Sequence, residues 1–317
     1  MNHKKTSILV CEPMASEGLL LLNSHAQFQV DVCVGLSQAE LLQRIPDYDC
    51  LLVRSQTSVD KSIIDAGVKL KLIGRAGVGI DNIDVDAARA NLIAVINTPA
   101  GNTVAACELA FGLMLSLARQ IPYAHQHVRD NKWQRSAFKG TELFQKTLGL
   151  IGFGNIGREL AKRARAFNMQ ILAHDPLVAD ELFRDHDVRK ATLDQVLAGA
   201  DFLSLHCNAN NNTRNMINEQ SIAKMKRGAM LINTARGELI EPNALIAALD
   251  AGHLSGAALD VFKVEPPVTD PLVNHPKVIV TPHIGASTAE AQLRVSTLLA
   301  EQTIAFFNGS DRVNRIV

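Results

Sequence analysis

Short apolar runs alternate along this chain with longer stretches in which apolar residues recur every three or four positions. One series of runs falls at 8–10, 50–53, 72–74 and 93–96, and a second at 148–151, 171–174, 202–206, 230–233, 257–259 and 278–281. Brief, continuous apolar runs bounded by turn residues predict strands buried on both faces. Their alternation with helical patterns predicts an α/β architecture of parallel sheets covered on both sides. Between the two series lie an apolar helical stretch, from Thr103 to about Gln120, and a polar segment, 123–147, that holds the single tryptophan, Trp133. Two motifs echo each other. Ala94-Val-Ile-Asn-Thr-Pro99 resembles Met230-Leu-Ile-Asn-Thr-Ala235, and Leu72-Ile-Gly-Arg-Ala-Gly77 resembles Leu150-Ile-Gly-Phe-Gly154, as two related units would. At 317 residues, two domains are expected rather than one.

The junction of one strand with the next helical pattern is chemically specific. Gly152, Gly154 and Gly157 form G-x-G-x-x-G directly after the 148–151 run. In that context the first glycine serves a tight turn, the second lets backbone approach a pyrophosphate, and the third lets the helix pack closely on the strand. The free N–H groups and positive dipole end of the helix, at Asn155 and Ile156, then suit phosphate. The following run ends at Asp175, roughly 20 residues on, where a ribose-binding carboxylate belongs. Together these predict a dinucleotide site; without the fingerprint, Asp175 would read as a cap or turn before Pro176.

Composition narrows the function classes. Lys+Arg and Asp+Glu are equal at 32 each, so no global basic charge points to nucleic acid or an anionic membrane. No apolar run approaches the ~20 residues of a membrane span. The polar start, Met1-Asn-His-Lys-Lys5, lacks the apolar core of a signal peptide. Five scattered cysteines without C-x-x-C are expected to be reduced thiols in the cytoplasm. His206 beside Cys207 lacks a second ligand pair, so no metal site is expected.

Ligands of open parallel sheets sit beyond the carboxyl ends of the strands. In the second series those ends carry Gly152, Asp175, Cys207, Thr234-Ala-Arg236, Asp260 and His283. Six polar or glycine-rich ends on one edge make a candidate site. Removing hydride from an alcohol carbon requires a base for the hydroxyl proton and a cation for an acid substrate. His283, at a strand end running into Ile284-Gly-Ala-Ser-Thr288, suits the base, because imidazole titrates near neutral pH. Arg236, followed by Gly237, offers a planar fork that matches a carboxylate. Glu265 could orient the imidazole, although on spacing alone it reads as an exposed carboxylate before two prolines.

At this point the chain resembles the D-isomer-specific 2-hydroxyacid dehydrogenase family over nearly its whole length. The resemblance rests on Gly74-Arg-Ala-Gly-Val-Gly-Ile-Asp-Asn82, Asn97-Thr-Pro-Ala-Gly-Asn102, the glycine fingerprint, Thr234-Ala-Arg-Gly-Glu-Leu-Ile240, Gly256-Ala-Ala-Leu-Asp-Val-Phe262 and Pro282-His-Ile-Gly-Ala-Ser-Thr288. It implies Arg236, Glu265 and His283 as the catalytic set and NAD as cofactor. The cofactor contacts are expected from Gly152, Gly154, Asn155, Ile156, Gly157, Asp175, Cys207, Thr234, Ala235, Asp260 and Gly285, with Asp260 at the nicotinamide carboxamide. The implied fold is two Rossmann-like, doubly wound parallel-sheet domains. An NAD-binding domain (100–285) is inserted into a discontinuous substrate-binding domain (1–99 and 286–317), with hinges near Pro99 and Gly285.

Within the family, the phosphoglycerate-type branch is the most similar. Arg54 and Arg75 suit a second anionic group, with Gly77, Val78 and Asn102 completing the substrate contacts and Arg135, beside Trp133, a further candidate cation. The expected partner is a small phosphorylated or short 2-hydroxy or 2-keto acid. The alternatives are a glyoxylate/hydroxypyruvate reductase and, from another class, an NAD-sensing corepressor. The long helix and the Trp133 segment exceed what one domain needs for internal cover, which with the resemblance implies a homodimer or higher oligomer. Two departures stand out. Relatives commonly carry proline two residues after the histidine matched by His206; this chain has Asn208, implying a more polar adenine-side wall. Many of that branch continue into regulatory domains, whereas this sequence ends at Val317, as a short form or a cut chain would.

Overall fold

The computed structural model describes residues 5–310 and 313–317, so most of the polar N-terminal stretch lies outside the described residues. The chain divides into two compact units, one of Met1–Asn102 with Ala286–Val317 and the other of Thr103–Gly285.

The first unit runs β1 (Thr6–Val10), α1 (Ser16–Asn23), β2 (Phe28–Val32), α2 (Gln38–Arg44), β3 (Cys50–Val53), α3 (Lys61–Ala66), β4 (Leu72–Arg75), α4 (Val85–Ala90) and β5 (Ala94–Asn97). All five strands are parallel, in the order β2-β1-β3-β4-β5. Alternate residues feed opposite faces. Leu9, Leu51, Ile73 and Val95 pack in one core, and Ile8, Val10, Leu52, Leu72 and Ile96 in another. Asp60 caps α3 by accepting from Ser62 and Ile63 N–H groups, so the helix starts where its orphan donors are met.

The second unit runs α5 (Thr103–Arg119), α6 (Ile121–Arg129), β6 (Thr147–Ile151), α7 (Asn155–Ala166), β7 (Gln170–His174), α8 (Asp180–Asp185), β8 (Arg189–Lys190), α9 (Leu193–Gly199), β9 (Phe202–Leu205), α10 (Glu219–Ala223), β10 (Ala229–Asn233), α11 (Pro242–Asp250), β11 (Leu254–Leu259) and β12 (Val278–Val280). Its seven parallel strands lie in the order β12-β11-β10-β9-β6-β7-β8. The chain winds outward in both directions from β6 and β9, the switch point of a doubly wound sheet. A final helix, α12 (Ala289–Phe307), returns to the first unit, where Leu299 and Ala300 are buried in its core.

The expected α/β fold is present, with three local differences. Strands β2 and β8 were not anticipated. Both are sheet edges, and β2 (Phe-Gln-Val-Asp-Val) is only partly buried, so it carries no continuous apolar run. The polar segment after α5 contains a helix, α6, with no buried residue. The third difference corrects the expectation that α5 needs outside cover. Ala105, Ala106, Cys107, Ala110, Leu113, Met114, Leu117 and Ala118 are buried, many of them packed with Leu148, Leu150 and Leu160 in α5's own unit. Val104 at the start of α5 is exposed, as are Ile121, Val128, Trp133 and Phe144 in the segment that follows it.

Candidate active site

The glycine turn joins β6 to α7 at the switch point. Gly152 has φ +96°, and a Cβ there would lie 2.5 Å from the His206 carbonyl group, so both its conformation and its packing demand glycine. A Cβ at Gly157 would collide with Gly152 O at 2.5 Å, which sets the helix close on the turn. A Cβ at Gly154 would meet nothing within 4 Å. Gly154 is also the N-cap of α7 and supplies no side chain to cap it, so the first helical amides, at Asn155 and Ile156, have no side-chain acceptor from the cap. Asp175, after β7, accepts from Phe153 N at 2.8 Å and from Leu177 N at 2.9 Å, tying its own turn to the glycine turn. Arg158 was not singled out from the sequence. Its guanidinium bonds Asn155 Oδ1 at 2.6 Å and Phe153 O at 3.2 Å, which adds a cation at the helix N-terminus. An open glycine cradle, a positive helix end and a carboxylate one strand away fit a dinucleotide.

At the end of β10, the buried Asn233 was also missed. Its Oδ1 accepts from Ala235 N at 3.0 Å and its Nδ2 donates to Arg236 O at 2.8 Å, which shapes the Thr234–Arg236 loop. Its only sequence signal was an amide at a buried strand end. The Thr234 hydroxyl is buried without a hydrogen-bond partner among the described residues, leaving it for a ligand. Arg236 Nη1 donates to Ala235 O at 2.6 Å. A Cβ at Gly237 would strike the Phe262–Lys263 backbone at 2.0–2.4 Å, so glycine here lets the Arg236 loop lie against the loop that leads to Glu265.

That loop meets the turn after β12. Glu265 Oε2 lies 2.6 Å from His283 Nδ1, and Glu265 Oε1 accepts from Phe262 N at 3.0 Å. Burial pushes the Glu265 carboxyl up, but its hydrogen bonds to His283 and Phe262 N, with the charges of His283 and Arg236, outweigh burial and hold it below the ordinary range. An ionised Glu265 accepts, so His283 Nδ1 donates and Nε2 is left for other chemistry. His283 sits at φ +52°, a strained conformation for a residue with a side chain. The strain is held by Asp260, which is 1% exposed. Asp260 O accepts from His283 N at 2.9 Å, Oδ1 accepts from Thr281 Oγ1 at 2.6 Å and Ile284 N at 2.8 Å, and Oδ2 accepts from Gly285 N at 2.9 Å. Burial still raises the Asp260 carboxyl above its usual range, against those bonds. Asp260 thus clamps the turn that presents His283, a role the sequence did not disclose.

After β9, burial pushes the Cys207 thiol up to about 11, so it stays protonated at neutral pH. Burial pushes His206 down to about 4, and its Nε2 pairs with Ser204 Oγ at 2.8 Å. The polar segment that follows serves its own turn. Thr213 Oγ1 accepts from Asn210 N at 2.8 Å and donates to Asn208 O at 2.7 Å, and Asn210 Oδ1 accepts from Asn212 N at 2.8 Å.

The remaining candidates belong to the first unit, except Arg135. Arg54 follows β3, and Arg75 closes β4. Gly77 has φ +144°, and the Arg75 guanidinium packs over it. Gly77 O accepts from Thr98 N at 3.0 Å and Val78 O from Asn97 Nδ2 at 2.6 Å, which fixes this loop to the end of β5. Asn102 Oδ1 is buried without a partner among the described residues. Arg135 is exposed in a short 3-10 turn of the second unit.

Residues 111–285 match the family described as D-isomer specific 2-hydroxyacid dehydrogenase, NAD binding domain. The chain is 43% identical to the D-3-phosphoglycerate dehydrogenase of Bacillus subtilis over 302 residues, 95% of this chain and 57% of that protein. It therefore spans little more than half the length of the phosphoglycerate dehydrogenases it matches. It is 47% identical to the hydroxypyruvate reductase of Thermotoga maritima, over 92% of this chain and 95% of that one. The crystal structure of a glyoxylate reductase from Paecilomyes thermophila superposes with a TM-score of 0.90 at 30% identity, covering 99% of both chains. The chain belongs to the D-isomer-specific 2-hydroxyacid dehydrogenase family and carries that family's NAD-binding domain.

Proposed function

We propose that this chain oxidises a D-2-hydroxy acid, or reduces the matching 2-keto acid, with His283 as acid–base, Glu265 as its partner and Arg236 as the carboxylate-binding cation. The observation that carries the proposal is the 2.6 Å pair between His283 Nδ1 and Glu265 Oε2, on the sheet edge that also bears the glycine turn. In the oxidative direction Nε2 takes the hydroxyl proton, and the imidazolium is stabilised by the adjacent carboxylate. Arg236 binds the substrate carboxylate through its guanidinium fork. Bound NAD would supply the two-electron acceptor for the hydride leaving C2. Asp175 would hold the ribose hydroxyls, and the amides of Asn155 and Ile156 the pyrophosphate.

The finer proposal is oxidation of 3-phospho-D-glycerate to 3-phosphohydroxypyruvate, the first step of serine biosynthesis. Arg54 and Arg75, two cations at strand ends of the first unit, support it as partners for a second anion. The second reading is an unphosphorylated hydroxypyruvate or glyoxylate reductase. It is favoured by the Thermotoga relative, which this chain matches over nearly its full length. Steady-state kinetics with 3-phosphohydroxypyruvate, hydroxypyruvate and glyoxylate decide between them. The phosphoglycerate proposal expects the highest kcat/KM for the phosphorylated acid. Preference for either unphosphorylated acid overturns it in favour of the reductase, and turnover of no D-2-hydroxy or 2-keto acid would leave a dinucleotide-binding protein without this chemistry.

A further inference from the structure

The five-stranded sheet has its own switch point, between β1 and β3, where successive connections leave in opposite directions. Glu12 lies just past β1 there, and Arg54 just past β3. Glu12 is 5% exposed. It makes no ion pair among the described residues. Instead its carboxylate accepts three backbone N–H groups of one loop: Arg54 N at 2.8 Å and Thr57 N at 2.9 Å on Oε1, and Gln56 N at 3.2 Å on Oε2. The loop is also held by its carbonyls. Asn82 Nδ2 donates to Arg54 O at 2.9 Å and to Thr57 O at 2.6 Å, while Asn82 O accepts from Val59 N at 2.8 Å.

Two consequences follow from this double clamp. The amides of Arg54, Gln56 and Thr57 already serve an anion, the buried Glu12, so apart from the Ser55 amide the recognition chemistry left to this loop is in its side chains. A buried carboxylate needs full hydrogen bonding. Here amide dipoles provide it, and among the described residues no carboxylate pairs with the Arg54 guanidinium. Its one hydrogen bond among the described residues is a long one, 3.5 Å from Nη1 to Pro13 O.

We infer that Glu12 and Asn82 are positioning residues that set Arg54 for a second anionic group of the substrate, a phosphate. The inference rests on the proposal that Arg54 contacts that phosphate. Fixing the loop beforehand lowers the ordering cost of binding, and the gain appears only for substrates that carry the group. The cost of a carboxamide in place of the Glu12 carboxylate is a donor facing donors, with amides left unsatisfied.

The test is a kinetic double-mutant cycle on the full chain with NADH, using 3-phosphohydroxypyruvate and glyoxylate as substrates. Glu12→Gln is expected to raise KM for 3-phosphohydroxypyruvate about tenfold or more, with kcat and the glyoxylate parameters within about threefold. Inorganic phosphate should also inhibit the variant less. In an Arg54→Ala background, Glu12→Gln should add less than about twofold, because it acts through that side chain. Equal losses on both substrates, or full additivity with Arg54→Ala, would show that Glu12 serves folding alone and overturn the inference. If Arg54→Ala is itself without selective effect, the phosphate assignment falls and the inference with it. Should Glu12→Gln fail to fold, Asn82→Ala, which frees the same loop from its carbonyl side, decides by the same cycle.

Discussion

Glu265 Oε2 and His283 Nδ1 lie 2.6 Å apart although 18 residues separate them in sequence. The pair forms because β11 and β12 are parallel neighbours, so the loops leaving both strands emerge on the same edge. His283→Ala should lower turnover about 10²–10⁴-fold, with NADH binding nearly intact. Stopped-flow binding alongside steady-state kinetics checks both, and near-native turnover would make the histidine structural. Glu265→Gln should also slow turnover at neutral pH. Since Glu265 is held below the ordinary carboxylate range, its ionised form favours the folded state. That contribution is present above the ordinary carboxylate pKa and is lost as pH falls through the lowered one. Protonation also removes the charge that Glu265→Gln removes, so native and variant rates should converge only as pH falls through that lowered value.

Asp175 accepts two backbone N–H groups at the end of β7, with Pro176 and Leu177, and no cation, directly following it. A 2′-phosphate brought there would meet a like charge, which costs several kcal/mol. NADH should exceed NADPH in kcat/KM by at least about a hundredfold. Equal efficiency with both cofactors would remove Asp175 from the ribose site.

His206 predicts the acid limit of stability. Burial depresses its folded value to about 4, while in the unfolded chain it titrates near the ordinary 6.5. Below about pH 6.5 the unfolded chain takes a proton that the folded chain refuses until about pH 4. Stability is thus complete above the ordinary value and falls across this window, by up to about 3 kcal/mol. Urea melts at pH 7.5, 6 and 4.5 should show the loss, and His206→Gln should flatten it. An equally steep fall in the variant would assign the acid sensitivity to other groups.

Trp133 is 76% exposed, in a segment that also exposes Ile121, Val128 and Phe144. We expect a second copy of the chain to cover these side chains. Light scattering is expected to return about twice the 34.4 kDa chain mass at micromolar concentration. Trp133→Asp should shift that mass toward the monomer. A native mass of one chain would leave this surface without a second copy.

The sequence alone determined what depends on local pattern. Buried strands such as Cys50–Val53 and Phe202–Leu205 read as apolar runs because both faces of a parallel strand are covered. The dinucleotide turn read as glycine spacing because its requirements, the φ of Gly152 and the close approach at Gly157, fall within six residues. Arg236 and His283 stood out because they end strands. The edge strands β2 and β8 were not legible, since β2 is only partly buried and both residues of β8 are exposed, so neither needs an apolar run. Nor was the cover of α5 by its own unit, because helical periodicity does not say what covers a helix. Tertiary structure alone decided which polar groups meet. Asp260 holds Thr281, Ile284 and Gly285, and Glu12 holds amides more than 40 residues away. Such pairs have no sequence period. They arise from the order in which parallel strands assemble, which brings loops distant in the chain to one edge where their buried donors must find acceptors.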